Sequence, residues 1–208
     1  MQGFVAGYYN FALWATRLAY LNLLWIVFTI LGLGVFGITP ATVAMFAVVR
    51  KWVHKDRDIP IFKTFWEVYK KEFVQANILG MILFLIGYLL VIQFNILFHQ
   101  ESMMYKIAAF SVVALMILYT IILTYVFPVF VHFKLKTFDY LKWPFIIGIV
   151  HPILTVVLIV GIAVLVTIVY NTIPALLFFF GGSVLAYLLM LGANETFHKY
   201  EADNDDPT

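Results

Sequence analysis

Five apolar runs, at residues 18–37, 78–97, 107–130, 145–169 and 173–193, contain no Asp, Glu, Lys or Arg. Each has about the 20 residues that an α-helix needs to cross a hydrocarbon layer about 30 Å thick. A membrane-spanning strand barrel would alternate polar and apolar residues in segments of about ten. The stretch VVLIVGIAVLVTIV is apolar on every face, so the runs are helices. Charged residues make up 12% of the chain, about half the density of a soluble domain, which carries roughly a quarter. These features predict an all-α, polytopic integral membrane helical bundle with about five transmembrane helices plus interfacial amphipathic helices. One transmembrane domain is expected over residues 1–195, followed by an acidic, flexible tail at 196–208.

Charge sets the expected orientation. The chain has no cysteine, so disulfides and thiolate metal sites are excluded. The opening MQGFVAGYYNFALWATR has no basic residue ahead of its apolar ones and no cleavage signature, so the first run is read as a permanent anchor. Between the first and second runs lie Arg50, Lys51, Lys55, Arg57, Lys63, Lys70 and Lys71, seven of the thirteen basic residues. Short basic loops face the cytoplasm. Alternating the five spans from there puts the N-terminus and Arg17 outside, with Lys106, and the C-terminus inside.

The stretch GITPATVAMFAVVRKWVHKD interrupts this pattern. Gly37 and Pro40 are expected to end the first helix, because proline disfavours helical geometry in the residue before it and suits the first turn of a new helix. Thr39 then serves as N-cap to a helix over residues 40–53. That helix is too short to cross, and is expected to dip into the inner leaflet or pack on the bundle. After Pro60, IFKTFWEVYKKEF places Phe62, Phe65, Trp66, Tyr69 and Phe73 at helical spacing, with Lys63, Glu67, Lys70 and Lys71 elsewhere on the wheel. This is an amphipathic helix, held at the lipid interface or docked on a partner.

Little in the chain points to chemistry. Coupled transport needs ionisable groups inside the membrane, and the runs offer His151 alone, beside Pro152, where a helix kink is expected. Glu195 and His198 share a helical face but need further partners to form a metal or acid–base site. His54, His99 and His132 stand apart. GLGVFG lies inside an apolar run and precedes no nucleotide fold. No catalytic residue, metal, cofactor or nucleic-acid partner is therefore expected. Amides and hydroxyls in the runs, such as Asn22, Asn77, Asn95, Ser111, Thr120, Thr124, Thr155 and Thr167, are expected to bond between helices, with glycines allowing close approach.

The residues GITPATVAMFAVVRKW, followed by FKTFWEVYKKEFVQAN, resemble the core of the YesL-like family of bacterial membrane proteins. YVFPVFVHFKLKTFDYLKWPFIIGIVHP matches that pattern in placement. The resemblance implies about five spans in the bacterial cytoplasmic membrane and a tie to carbohydrate ABC importers. The function it implies is that of a non-catalytic accessory or regulatory subunit packed on the importer's permease, and through it linked to an ATPase and a solute-binding protein. Membrane lipids are the other expected partner. Gly37, Thr39 and Pro40 are its structural motif, and Arg50, Lys51, Trp52, Phe65, Trp66 and Lys70 are the expected contact residues. Two rivals remain: a self-contained small-solute transporter or channel, and a membrane regulator of sugar utilisation.

Overall fold

The computed structural model describes residues 2–56 and 58–202, with side chains described for 7–56 and 58–197. Its described residues form eight helices and no strand: α1 (Gln2–Leu31), α2 (Val35–Val53), α3 (Ile61–Lys71), α4 (Phe73–Phe98), α5 (Met103–His132), α6 (Asp139–Val150), α7 (Pro152–Thr172) and α8 (Ala175–Ala202). Five segments are long and apolar enough to cross a membrane: Gly7–Leu31, Phe73–Phe98, Met103–His132, Pro152–Thr172 and Ala175–Phe197. The protein is a helical, multi-pass membrane protein. Arg57 and residues 203–208 of the expected tail lie outside the described residues, as does the side chain of His198. Helix α8 itself continues to Ala202, into the segment expected to be flexible.

The first apolar helix ends earlier than the proline implied. The chain reverses at Gly32, Leu33 and Gly34, where Leu33 (φ 59°) and Gly34 (φ 75°) adopt left-handed geometry, which glycine enters at no steric cost. The turn satisfies its own amides: Gly32 N–H donates to the Phe28 carbonyl (3.1 Å), Gly34 N–H to Thr29 (2.9 Å) and Ile38 N–H to Gly34 (2.9 Å). Such pairing matters wherever lipid replaces water. Helix α2 therefore starts at Val35, with Pro40 in its interior and Thr39 one turn past the cap. An interior proline costs about 3 kcal/mol. Packing of α2 by α1, α3, α4, α5 and α8 offsets that loss.

Helix α2 is the centre of the molecule, with Ala41, Val43, Ala44, Val48, Val49 and Trp52 at 2% exposure or less. It runs antiparallel to α1. Gly32 touches the backbone of Gly37, which in turn lies against the Phe28 and Thr29 carbonyls; Trp25 Nε1 donates to Thr42 Oγ1 (3.0 Å); Trp14 meets Trp52 edge-on at 5.6 Å. Any side chain on Gly37 would enter the Thr29 carbonyl.

This hairpin corrects the expected topology. Arg17 pairs with Asp58 at 3.0 Å, so the Trp14–Arg17 turn of α1 lies at the same end of the bundle as the basic segment it was expected to face across the membrane. Phe197 of α8 packs on His132 (4.5 Å) and Phe133 (5.2 Å) at that end too. The connection between α4 and α5, with Lys106 just beyond it, belongs to the opposite end.

One other boundary differs from expectation. The expected fourth span is two helices: His151 (φ −117°, ψ 61°) separates α6 from α7, and Pro152 takes the first position of α7. Thr155 Oγ1 closes the break by donating within reach of the Gly148 (3.0 Å) and His151 (2.9 Å) carbonyls, and it meets the Tyr125 hydroxyl at 2.9 Å. Asn22 joins α1 to α8 by donating to the Phe178 carbonyl (2.6 Å) and accepting from Ser183 N–H (3.0 Å). Against expectation, Asn77, Asn95, Ser111, Thr120, Thr124 and Thr167 turn back to carbonyls four residues earlier in their own helices. Local back-bonding is always within reach of a short polar side chain, whereas an interhelical bond needs a neighbour in register.

Candidate functional site

Helix α3 stands on an aromatic cluster. Phe28 of α1 is surrounded by Phe62, Phe65, Trp66 and Tyr69 at centroid distances of 5.0 to 6.4 Å. Tyr69 also donates its hydroxyl to the Phe28 carbonyl (3.2 Å), and burial pushes its pKa up. The amphipathic pattern thus docks one face on the bundle, with Trp66 at the edge of the cluster, and leaves the charged Lys63, Glu67 and Lys70 exposed.

Between this docked helix and the bundle lies a cleft of about 710 Å³, within the usual range for small-molecule sites. Its walls come from α2, α3, the start of α4, the end of α5, the segment at 133–138 and Tyr140 of α6. Val43, Ala47, Val68 and Phe130 supply apolar surface. Arg50, Lys51, Lys71 and Lys134 supply four cations, against the carboxylates of Glu67 and Glu72. Lys71 Nζ lies 3.7 Å from Glu72 with 72% of its side chain exposed, a solvated pair of small energetic weight.

The end of α5 and the segment after it are pinned from three elements. Arg50 Nη1 donates to the Val131 carbonyl (2.8 Å), one of the last-turn carbonyls of α5 that lack intrahelical partners. Gln75 Nε2 reaches the Leu135 carbonyl at 3.4 Å. Tyr140 donates to the Phe133 carbonyl (3.1 Å), accepts from Leu135 N–H (3.0 Å) and stacks on Phe130 at 4.6 Å. Burial, foremost, raises the Tyr140 pKa; the charge of Glu72 adds to the rise and the Leu135 bond opposes it. Tyr140 is therefore a neutral hydroxyl with both hydrogen-bonding roles in use.

The expected contact residues divide. Arg50 and Lys51 line the cleft. Trp66 sits at the exposed edge of the aromatic cluster, with the Lys70 ammonium 4.8 Å from its ring centre. Trp52 and Phe65 are buried in the core at 2% and 0% exposure, so neither touches a partner. Gly37, Thr39 and Pro40 belong to the hairpin, Gly37 against α1 and Thr39 against Gly80 of α4. The sequence reading missed Lys71, Glu72, Gln75, Lys134 and Tyr140 as parts of one site, since they are spread over 70 positions of chain. His54 and His132, read as standing apart, stack at 5.9 Å. Among the described residues, no group of three or more His, Asp or Glu could hold a metal ion.

The cleft and the α1/α2 hairpin fall largely within one region of family likeness. The family described as "Protein of unknown function, DUF624" matches residues 18–94. Three proteins of Bacillus subtilis (strain 168) are similar over nearly the whole chain. Uncharacterized protein YteU is 36% identical over 198 residues, covering 95% of this chain and 88% of its own. Uncharacterized protein YesL is 35% identical, covering 88% and 86%. The chain belongs to the YesL-like family. Uncharacterized protein YesV, 35% identical over 90% of each chain, is a third relative. No solved structure matches the chain. The DUF624 match covers the second half of α1, α2, α3 and most of α4, but ends before the wall made by residues 130–140.

Proposed function

We propose that this protein is a non-catalytic membrane subunit that packs laterally on the permease of a carbohydrate ABC importer in the bacterial cytoplasmic membrane, its basic end facing the cytoplasm. The observation that carries the lateral packing is the pair of unpartnered apolar flanks. Helix α4 buries only Ala76, Leu79 and Leu83, and α7 buries only Thr155. Flanks of this kind meet either lipid or another membrane protein. The importer is supplied by the family resemblance. A pore through the bundle fits poorly, since the hydroxyls and amides of α4, α5 and α7 mostly bond to their own helices.

Positive residues crowd the end that carries Arg17, Arg50, Lys51, Lys71 and Lys134, which supports a cytoplasmic placement for that end. The absence of cysteine makes this easy to test. Single cysteines at Gly7 and Lys134 are expected to react with a membrane-impermeant maleimide only after the membrane is opened, and one at Lys106 in intact cells. For the importer itself, the tagged protein is purified from its native membrane in mild detergent. Two permease subunits and an ATPase at stoichiometric levels support the reading. Recovery of this chain alone, with no cross-link to a permease in intact cells, rejects it.

A further inference from the structure

We infer that the cleft between α2, α3 and the 133–138 segment binds a phosphate-type oxyanion at the basic end of the membrane domain. Its four cations come from three places in the chain: Arg50 and Lys51 from α2, Lys71 from α3 and Lys134 from beyond α5. Glu67 and Glu72 leave a formal excess of two positive charges on the lining. A phosphate group carries one negative charge as a diester and between one and two as a monoester near neutral pH, so either is accommodated by that excess.

The site is also held in shape before a ligand arrives. Arg50 is fixed to the Val131 carbonyl at 2.8 Å and Tyr140 clasps Phe133 and Leu135, so the wall that carries Lys134 is braced from both sides. Guanidinium stays charged at any relevant pH and suits phosphate geometry. The apolar surface from Val43, Ala47, Val68 and Phe130 lies beside the charges, which suits a ligand with an apolar portion next to its phosphate. Basic pockets among membrane helices on the cytoplasmic side bind anionic headgroups by this logic. An anionic phospholipid and a soluble phosphorylated molecule share the chemistry. The inference is independent of the importer reading, since binding needs no permease.

The test uses the full chain in phosphatidylcholine nanodiscs, titrated either with phosphatidylglycerol or with inorganic pyrophosphate. Retained lipid is counted by native mass spectrometry, and pyrophosphate binding is read from the thermal midpoint. The double variant Lys71→Gln/Lys134→Gln removes two cations without touching the core. It is expected to weaken binding about 25-fold, at the roughly five-fold that one lysine contributes near an anionic surface. Glu67→Gln should strengthen binding, and Lys106→Gln, at the other end, should change nothing. Saturable phosphatidylglycerol retention with this pattern identifies a lipid headgroup, and the same pattern with pyrophosphate identifies a soluble ligand. Absence of saturable binding by either probe overturns the inference. So does binding that Glu67→Gln leaves unchanged, a readout that holds even if the double variant fails to fold.

Discussion

The outer stretches of α4, α5 and α7 are more apolar in sequence than α2, yet it is around α2 that side chains are packed. Around α2, side chains such as Val48, Val49 and Phe65 are fully enclosed. Along α4, Phe84, Leu85 and Tyr88 are 55% to 72% exposed. The difference teaches that hydrophobicity does not select partners in this molecule. Close contact does: glycine against backbone at Gly32 and Gly37, rings against Phe28, and amides where a neighbour is in register. Lipid tails are as apolar as leucine, so association within a membrane rests on such packing and hydrogen bonds.

The strongest way to break the comparison is to truncate one ring in each region. Phe65→Ala should cost about 3–5 kcal/mol, the usual loss for a fully buried phenylalanine, measured as unfolding in mixed micelles. Phe84→Ala should stay within about 0.5 kcal/mol, as exposed positions do. Similar losses at both sites would mean that the outer stretches are packed as the centre is.

Glycines give the next contrast. Gly37→Val forces a side chain into the Thr29 carbonyl and should cost about 3 kcal/mol, the upper part of the overpacking range. Gly161 has open space around the position of a Cβ, so Gly161→Ala should be neutral or stabilising by up to about 1 kcal/mol. Thermal midpoints of the two variants in one detergent settle the sign of each.

Amides sharpen it further. Asn22→Leu leaves Ser183 N–H without the oxygen it donates to and should cost about 1–2 kcal/mol. Asn95→Leu removes only a bond within α4 and should be close to neutral. The smallest effect is at the cleft. Tyr140→Phe should cost about 1 kcal/mol and soften the alkaline limb of the stability curve. The native Tyr140 pKa is raised above its ordinary value of 10.0, so its contribution is complete below pH 10 and fades as pH rises through the raised value. A pH series of midpoints for the wild type and variant measures that limb.

Much of the candidate site was illegible for a plain reason. Arg50 and Lys51 drew notice because they follow an apolar run abruptly, whereas Lys134 has no such local mark. Nothing local marks Tyr140 or Gln75. Their roles are bonds to the backbone of a segment up to 60 positions away. Trp52 and Phe65 misled in the other direction: beside basic residues they read as contact residues, yet both are buried in the core.

By itself the sequence determined the class of the protein: uncharged runs of about 20 residues must pair their backbone groups within helices, whatever their neighbours. It also determined the two-faced character of α3, where polar and apolar residues alternate with the helical period. Only the tertiary structure decided that the chain reverses at Gly32–Gly34, that α2 becomes the core, and that Arg17 meets Asp58. When every face of a helix is apolar, periodicity no longer says which face packs. The choice then falls to the few places where two backbones or two rings can approach, and those places exist only after the chain has folded.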